Sequence, residues 1–143
     1  MDANESTPMK DFLVSNLTLK GRIDRWTFLR KLSRLTLLGG IILVAGLFAF
    51  NLDYRVGGYA AIAATVLVIL CNLSLCVRRL HDRGHAGWWV LISLIISLFS
   101  YARIPGLIVF FLIFQGWLFI ETFFLRGVAG PNRYGHDPLV EGA

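Results

Sequence analysis

Charged residues are scarce in this sequence. They make up 16% of its 143 residues, and 56% of the residues are hydrophobic, whereas an ordinary soluble domain has about 25% charged residues. The sequence also contains four long runs without a charged residue. Each of these runs comes close to the roughly 20 residues that a helix needs to cross a bilayer. Because the runs are continuously apolar and do not alternate with period two, a soluble globule, a disordered chain and a β-barrel are excluded. The runs cover residues 35–52, 56–77, 84–102 and 104–120.

Cysteine is also rare, and familiar catalytic motifs are missing. The two cysteines, Cys71 and Cys76, would point about 140° apart on a helix, so they neither pair nor share a metal there. The sequence has no nucleophile elbow, P-loop, paired-carboxylate site or dinucleotide-binding glycine motif. We therefore expect a protein that is not an enzyme and has no cofactor.

Positive charge exceeds negative charge, with 14 Lys and Arg against 9 Asp and Glu. In a membrane protein such an excess indicates topology, because basic side chains collect on the cytoplasmic side. We therefore expect membrane lipids as partners, and no nucleic acid. Four spans with both termini in the cytoplasm leave only Arg55 and Arg103 outside, whereas three spans would leave Arg103 in the membrane.

The predicted fold is an all-α integral membrane protein with four transmembrane helices. The third is short, and either crosses a thinned bilayer or is re-entrant. Small residues at spacing four, such as Gly57 and Ala61, favour close helix packing, with Ala45 and Ala49 as the matching surface. The predicted spans cover about residues 33–50, 57–77, 86–101 and 107–125.

The polar ends are predicted to flank one membrane domain, residues 10–126. Residues 1–9 are a mobile tail, and an amphipathic interfacial segment follows it before the first span. Residues 127–143 are rich in turn signals and are predicted to form an irregular cytoplasmic tail that packs on the 78–87 loop.

Three local strings resemble a known family. They are GRIDRWTF at 21–28, RRLHDRGHAGWW at 78–89 and GPNRYGHDP at 130–138. In this order, with apolar helices between them, they resemble the bacterial inner-membrane family called domain of unknown function family 805. The likeness covers nearly the whole chain, although Leu29 and Ala86 depart from the pattern and the stretch between Trp89 and Gly130 is longer than usual. The resemblance implies a small multi-pass protein of the bacterial inner (plasma) membrane, without an established activity.

The second and third strings are the candidate site, because the four-span topology places both on one side. Guanidinium groups fit phosphate or carboxylate oxygens, and tryptophans anchor at the interface. We predict a unit that binds anionic lipid headgroups or a partner protein, with Arg78, Arg79 or Arg83 paired to Asp137 and Asp82 paired to Arg133. The simpler interpretation is a positive-inside signal beside an aromatic belt. The candidate residues are Arg78, Arg79, His81, Asp82, Arg83, Trp88, Trp89, Asn132, Arg133, Tyr134 and Asp137.

Two histidines at spacing four, His81 and His85, are reminiscent of a zinc site. The sequence Asp-Arg-Gly between them disfavours a continuous helix, and no further ligand set completes the site. The local candidates for a third ligand are Asp82, His136 and Asp137. We expect no metal.

Three polar residues within the predicted spans, Asn72, Gln115 and Glu121, form a candidate intramembrane site. Glu121 lies near the cytoplasmic end, where Arg126 or Arg34 can neutralise it; the alternative is an ion or proton path. Asn72 and Gln115 are expected to form interhelical hydrogen bonds.

Two rival functions remain open from the sequence. A polar path would favour a small homo-oligomeric transporter or channel. A membrane enzyme that uses His81 and Asp82 on a lipid phosphate lacks a nucleophile or a metal set.

Overall fold

The computed structural model describes residues 14–52, 54–100 and 105–141, so the predicted mobile tail 1–9 lies outside the described residues. Within these ranges the regular structure is helical, apart from an isolated bridge between Asn132 and Gly135. Of the predicted amphipathic segment, residues 14–17 are helical. The further helices are α1 (Arg25–Leu52), α2 (Tyr54–Asp82), α3 (Trp88–Ser100), α4 (Pro105–Phe123) and α5 (Pro138–Glu141).

Three of these helices are long and apolar enough to cross a membrane, namely α1, α2 and α4. Helix α3 has 13 residues, and its length of about 20 Å is short of the roughly 30 Å of bilayer hydrocarbon. The predicted all-α membrane fold, with about four spans of which the third is short, is confirmed.

Helix α1 begins at Arg25, ahead of the predicted span, because Asp24 caps it. The Asp24 carboxylate accepts hydrogen bonds from the backbone N–H groups of Trp26 at 2.9 Å and Thr27 at 3.1 Å. Although burial acts to raise the pKa of Asp24, the hydrogen bonds from Thr27 and Trp26 and the charge of Arg30 outweigh it and lower the pKa. The basic segment before residue 33 therefore forms the first turns of the spanning helix.

Helix α2 continues beyond the predicted end at Val77, so the predicted 78–87 loop is helical as far as Asp82. Gly84 ends the helix in the left-handed region with φ 77°. The backbone N–H of His85 donates to Leu80 O at 2.9 Å and that of Gly84 to His81 O at 3.0 Å. This pattern is a Schellman motif, which satisfies the last carbonyls of the helix without further helical residues.

Helices α1 and α2 form an antiparallel hairpin with close backbone contact. Gly39 lies against Val68, and Gly46 lies against Ala61, where an added Cβ on Gly46 would be 2.7 Å from the Ala61 Cβ. Ala45 is exposed. Ala61 therefore contacts α1 closely, as predicted. Its partner on α1 is Gly46 and not the predicted Ala45, because the register of the hairpin turns Gly46 towards α2.

The packed core lies at the end of the bundle where α1 begins and α2 ends. The Phe28 ring contacts the Phe123 ring edge-on, with centroids 5.4 Å apart, and so joins α1 to α4. Away from this core the helices expose large apolar side chains, such as Phe48 and Leu98, which hydrocarbon covers in a membrane. The core residues are Ile23, Phe28, Leu35, Cys71 and Leu75.

Candidate functional site

A carboxylate and two guanidinium groups meet inside this end of the bundle. Asp82 Oδ1, on the last turn of α2, lies 2.9 Å from Arg22 Nη2, and Asp82 Oδ2 contacts Arg79 Nη1. The Arg22 and Asp82 side chains are 1% and 3% exposed, and that of Arg79 is fully buried. Removing one partner of a buried ion pair leaves an uncompensated charge, so each member needs the others. We call Arg22, Arg79 and Asp82 the charge cluster.

The residues that follow α4, 124–141, are called the C-terminal segment here. Arg22 attaches this segment to the residues that precede α1. Its Nη1 donates to Gly130 O and its Nη2 to Val128 O, each at 2.6 Å, and its Nε donates to Asp82 Oδ1 at 3.0 Å. The planar guanidinium can satisfy these acceptors together, which a lysine cannot. Arg22 was not among the predicted site residues; its presence in the first string, GRIDRWTF, was the available signal.

Arg79 performs the same role for the end of α4. Its Nε donates to Thr122 O at 3.1 Å, its Nη1 to Ile23 O at 3.4 Å and its Nη2 to Leu125 O. The last carbonyls of a helix have no partner within that helix and favour a cation. The Arg79 guanidinium is therefore used inside the protein and does not reach a lipid phosphate, contrary to the expectation from the sequence.

The C-terminal segment folds back on the end of α2. Tyr134 stacks on the His81 imidazole with ring centroids 3.9 Å apart and a 6° interplanar angle. Asn132 Nδ2 donates to His81 O at 3.0 Å, and Val128 N–H donates to Asp82 O at 2.9 Å. Residues 128–134 therefore contact the last turn of α2 through both backbone and side-chain groups.

The partners predicted for Asp137 and Arg133 are wrong. Hydrogen bonds from the backbone N–H groups of Leu139 and Gly130, at 3.0 and 2.8 Å, and the nearby charge of Arg22 lower the pKa of Asp137. Asp137 thus closes a turn and forms no ion pair with the arginines of the second string. Arg133 donates to Gly84 O at 3.3 Å, because Asp82 is enclosed by the other two arginines.

Glu121 forms an ion pair near the end of α4. Its Oε2 lies 2.8 Å from Arg83 Nε and 3.4 Å from His85 Nε2. Arg83 Nη1 also donates to Arg126 O. The neutralising partner is therefore Arg83 and not Arg126 or Arg34, since the turn after α2 carries Arg83 towards α4.

Arg78 differs from Arg79 in its surroundings. It is half-buried and its Nη1 donates to Ser15 O at 3.0 Å. Its Nε has no hydrogen-bond partner among the described residues.

The two predicted anchor tryptophans have different environments. Trp88 is 54% exposed, and its ring stacks on that of Trp89 with centroids 4.7 Å apart. Trp89 also contacts Trp117 of α4, with centroids 5.4 Å apart. Trp88 can therefore anchor at an interface, whereas Trp89 packs α3 on α4.

The polar residues within the spans do not line one path. Gln115 Oε1 accepts a hydrogen bond from Ser93 Oγ at 2.5 Å, which joins α4 to α3. Asn72 Oδ1 lacks a partner among the described residues. Glu121 lies with Arg83, as described above.

The two histidines face different groups. His81 Nδ1 is 3.3 Å from Gly21 O, whereas His85 lies against Trp117 with ring centroids 5.6 Å apart. Within residues 14–52, 54–100 and 105–141, no group of three or more His, Cys, Asp or Glu side chains could hold a metal ion.

The three strings thus meet in one assembly, and a family comparison covers the same region. The chain matches the family model described as "Protein of unknown function (DUF805)" over residues 16–136, which include the first two strings and most of the third. This chain belongs to the DUF805 family. The DUF805 resemblance expected from the strings is confirmed.

Two relatives of this DUF805 chain come from Escherichia coli (strain K12). It is 35% identical over 81 residues to Inner membrane protein YhaI. The aligned residues cover 56% of this chain and 54% of YhaI. It is also 34% identical over 102 residues to Inner membrane protein YhaH. The aligned residues cover 68% of this chain and 70% of YhaH. The DUF805 chain therefore spans about half the length of YhaI. No solved structure matches it.

Proposed function

We propose that this DUF805 protein is a non-enzymatic membrane component that binds the headgroups of anionic phospholipids. The binding surface is the end of the bundle where α1 begins and α2 ends, which we call the basic end. The observation that carries the proposal is the separation of charges into buried and outward sets. The buried acids, Asp82 and Glu121, are paired with Arg22, Arg79 and Arg83. The exposed cations at this end take no part in these ion pairs.

These outward cations lie near the start of α1 and on the C-terminal segment. Among the described residues no salt bridge includes any of them. A cluster of this kind beside a membrane helix attracts anionic lipid, with about 1 kcal/mol for each basic residue near the surface. At this end of the bundle the exposed Lys and Arg residues are Lys20, Arg30, Arg34, Arg126 and Arg133.

Aromatic side chains support a headgroup-level position for this end. Trp26 is 62% exposed and Trp88 is 54% exposed, and the Arg25 guanidinium lies 5.0 Å from the Trp26 ring centroid. Tryptophan prefers the membrane–water interface because it is both apolar and a hydrogen-bond donor. The outward cations near these rings would therefore meet phosphate groups.

The contacts of the titratable groups support a binding role over catalysis. His81 is stacked on Tyr134, Asp82 is enclosed by two arginines, and Glu121 is paired with Arg83. Each is used to hold segments together. The hydrogen bond between Ser93 and Gln115 likewise supports helix packing over a transport path.

Native mass spectrometry from nanodiscs tests the proposal. Arg34→Gln removes one exposed charge from the basic end, and Arg55→Gln, the matched control, removes one exposed charge from the other end of the α1–α2 hairpin. With phosphatidylglycerol and phosphatidylcholine present together, Arg34→Gln should lower retained phosphatidylglycerol by about fivefold, the equivalent of about 1 kcal/mol. Equal retention in both variants, or retention of a partner protein in place of lipid, would overturn the proposal.

The proposal includes a cytoplasmic position for the basic end and both termini, which the positive-inside rule favours. In a background without Cys71 and Cys76, single cysteines replace Ala129 at the basic end or Arg55 at the other end. A membrane-impermeant thiol reagent applied to intact cells should label Arg55→Cys only, and Ala129→Cys should need permeabilised cells. The reverse pattern would place the basic end in the periplasm.

A further inference from the structure

A long apolar groove lies beside the charge cluster and is not part of it. It has a volume of about 560 Å³ and lies between residues 17–19, the last turns of α2 and the start of α3. Leu70 and Leu73 form one wall, and Leu91 and Leu94 form the other. These four leucines belong to the apolar parts of α2 and α3, so this part of the groove faces hydrocarbon in a membrane, and the other end of the groove reaches His81 and Trp88.

The length of the groove suits an extended hydrocarbon chain. Along α2 it extends from Leu70 to His81, which at about 1.5 Å per residue is roughly 16 Å. An acyl chain can lie along a groove of this length, and a second copy of the chain over the opening is the alternative that the dimer readout below detects.

Within the part of the chain that the structure describes, the groove is lined by apolar side chains with few polar groups and no Asp, Glu, Lys or Arg, and two of those polar groups are already used. Ser74 Oγ donates to Thr18 O at 2.5 Å, and His81 Nδ1 lies 3.3 Å from Gly21 O. A polar ligand would find few free donors or acceptors here. An apolar occupant needs none.

Basic residues follow two of the residues that line the groove. Lys20 comes directly after Leu19, and Arg78 comes directly after Val77. Among the described residues neither forms a salt bridge. A phosphate joined to the chain in the groove would therefore meet positive charge at the protein surface.

We infer that the groove binds one acyl chain of a phospholipid. This inference rests on the proposed function, because it assigns the tail of the same lipid to the groove. It gives the protein a defined lipid site in addition to a basic surface.

Photocrosslinking at low lipid content tests the inference. The full chain is purified in mild detergent with one molar equivalent of phosphatidylglycerol that carries a diazirine in its acyl chain, and the adducts are mapped by peptide mass spectrometry. The adducts should concentrate in residues 70–81 and 88–94. Adducts spread over the exposed faces of α1 and α4 would overturn the inference.

Variants that fill the groove provide the second arm. Leu94→Trp places a larger ring in the groove, and the matched control Ile95→Trp places it at the next position on α3, which does not line the groove. Leu94→Trp should lower the groove adducts severalfold, and Ile95→Trp should not. Leu73→Trp repeats the test from the α2 wall if Leu94→Trp elutes as aggregate. Equal adduct yields in filled and control variants, or loss of a dimer on filling, would overturn the inference.

Headgroup exchange separates the two proposals. Groove adducts of equal yield with phosphatidylglycerol and phosphatidylcholine support the groove and overturn the anionic headgroup preference. Selective retention of phosphatidylglycerol with scattered adducts supports the headgroup preference and overturns the groove.

Discussion

Arg22 and Asp82 are 60 positions apart in the sequence, yet Arg22 Nη2 lies 2.9 Å from Asp82 Oδ1 inside the protein. The pair joins the residues before α1 to the end of α2. Arg22 then extends the connection to Val128 and Gly130. Arg22, which lies in the first string, thus contacts both the second string at Asp82 and the third string at Gly130.

Replacement of Asp82 should be the most destabilising change in the charge cluster. Asp82→Asn leaves Arg22 and Arg79 buried without an acid, and breaking a buried ion pair in this way costs about 3–5 kcal/mol. Thermal unfolding in detergent, followed by size-exclusion chromatography, should show a clearly lower midpoint. Asp24→Asn is the control, because asparagine also caps a helix. Equal midpoints for the two variants would contradict the assigned role of Asp82.

Replacement by lysine should lower the unfolding midpoint at Arg79 but not at Arg78. Arg79→Lys keeps the charge but loses the planar fork that reaches Thr122 O and Leu125 O, and each hydrogen bond to a charged group contributes about 1.5–3 kcal/mol. The midpoint of thermal unfolding should fall in Arg79→Lys. It should change little in Arg78→Lys, where one backbone contact, to Ser15 O, is at stake. A similar fall in both variants would show that burial does not distinguish the two positions.

Gly127 should tolerate no side chain. An added Cβ would overlap Asp82 Oδ2 and lie 2.6 Å from Asp82 Cγ, so Gly127→Ala must displace either the C-terminal segment or the charge cluster. We expect faster proteolysis of the C-terminal segment and a lower unfolding midpoint. Gly116→Ala is the matched control, since nothing lies within 4 Å of its added Cβ. If Gly127→Ala behaves like Gly116→Ala, the segment does not pack on Asp82 as described.

The Asp24 cap predicts a stability difference that depends on pH. Because the pKa of folded Asp24 lies below its ordinary value of 3.8, the charged form stabilises the protein above that value, and the contribution is lost as the pH falls through the folded pKa. Wild type should exceed Asp24→Asn by about 0.3–1 kcal/mol at pH 7, from the helix dipole. The difference in unfolding midpoint should shrink below pH 3.8. A difference that grows on acidification would contradict this sign.

Much of the fold could be predicted from the chain alone. Apolar runs of near-membrane length predict spanning helices without knowledge of their partners, because a bilayer must be crossed with every backbone group hydrogen-bonded. Helix ends were less predictable. The end of α2 depends on Gly84 in the left-handed region and on the hydrogen bonds of the turn after it, and a polar sequence such as RRLHD is compatible with either a loop or a helix.

The candidate site was predicted as a region but not as a set of contacts. The second and third strings do meet, yet Asp82 pairs with Arg22 and Arg79, whereas Arg133 donates to Gly84 O. Charge alone does not select among several arginines for one carboxylate. Burial decides which arginines pair with Asp82. A buried guanidinium group is stable only if its other N–H groups also find acceptors, and Arg22 and Arg79 find them in nearby backbone carbonyls.

The sequence by itself determined that this is an all-α, multi-pass membrane protein with one basic end, since hydrophobic length and charge distribution are local properties. Only the tertiary structure decided which basic residues are structural and which face outward. Arg78 and Arg79 are neighbours of the same residue type, but about 100° of helical rotation turns Arg79 into the interior and leaves Arg78 at its edge. The groove beside them has the same origin, because it exists only where α2, α3 and residues 17–19 come together.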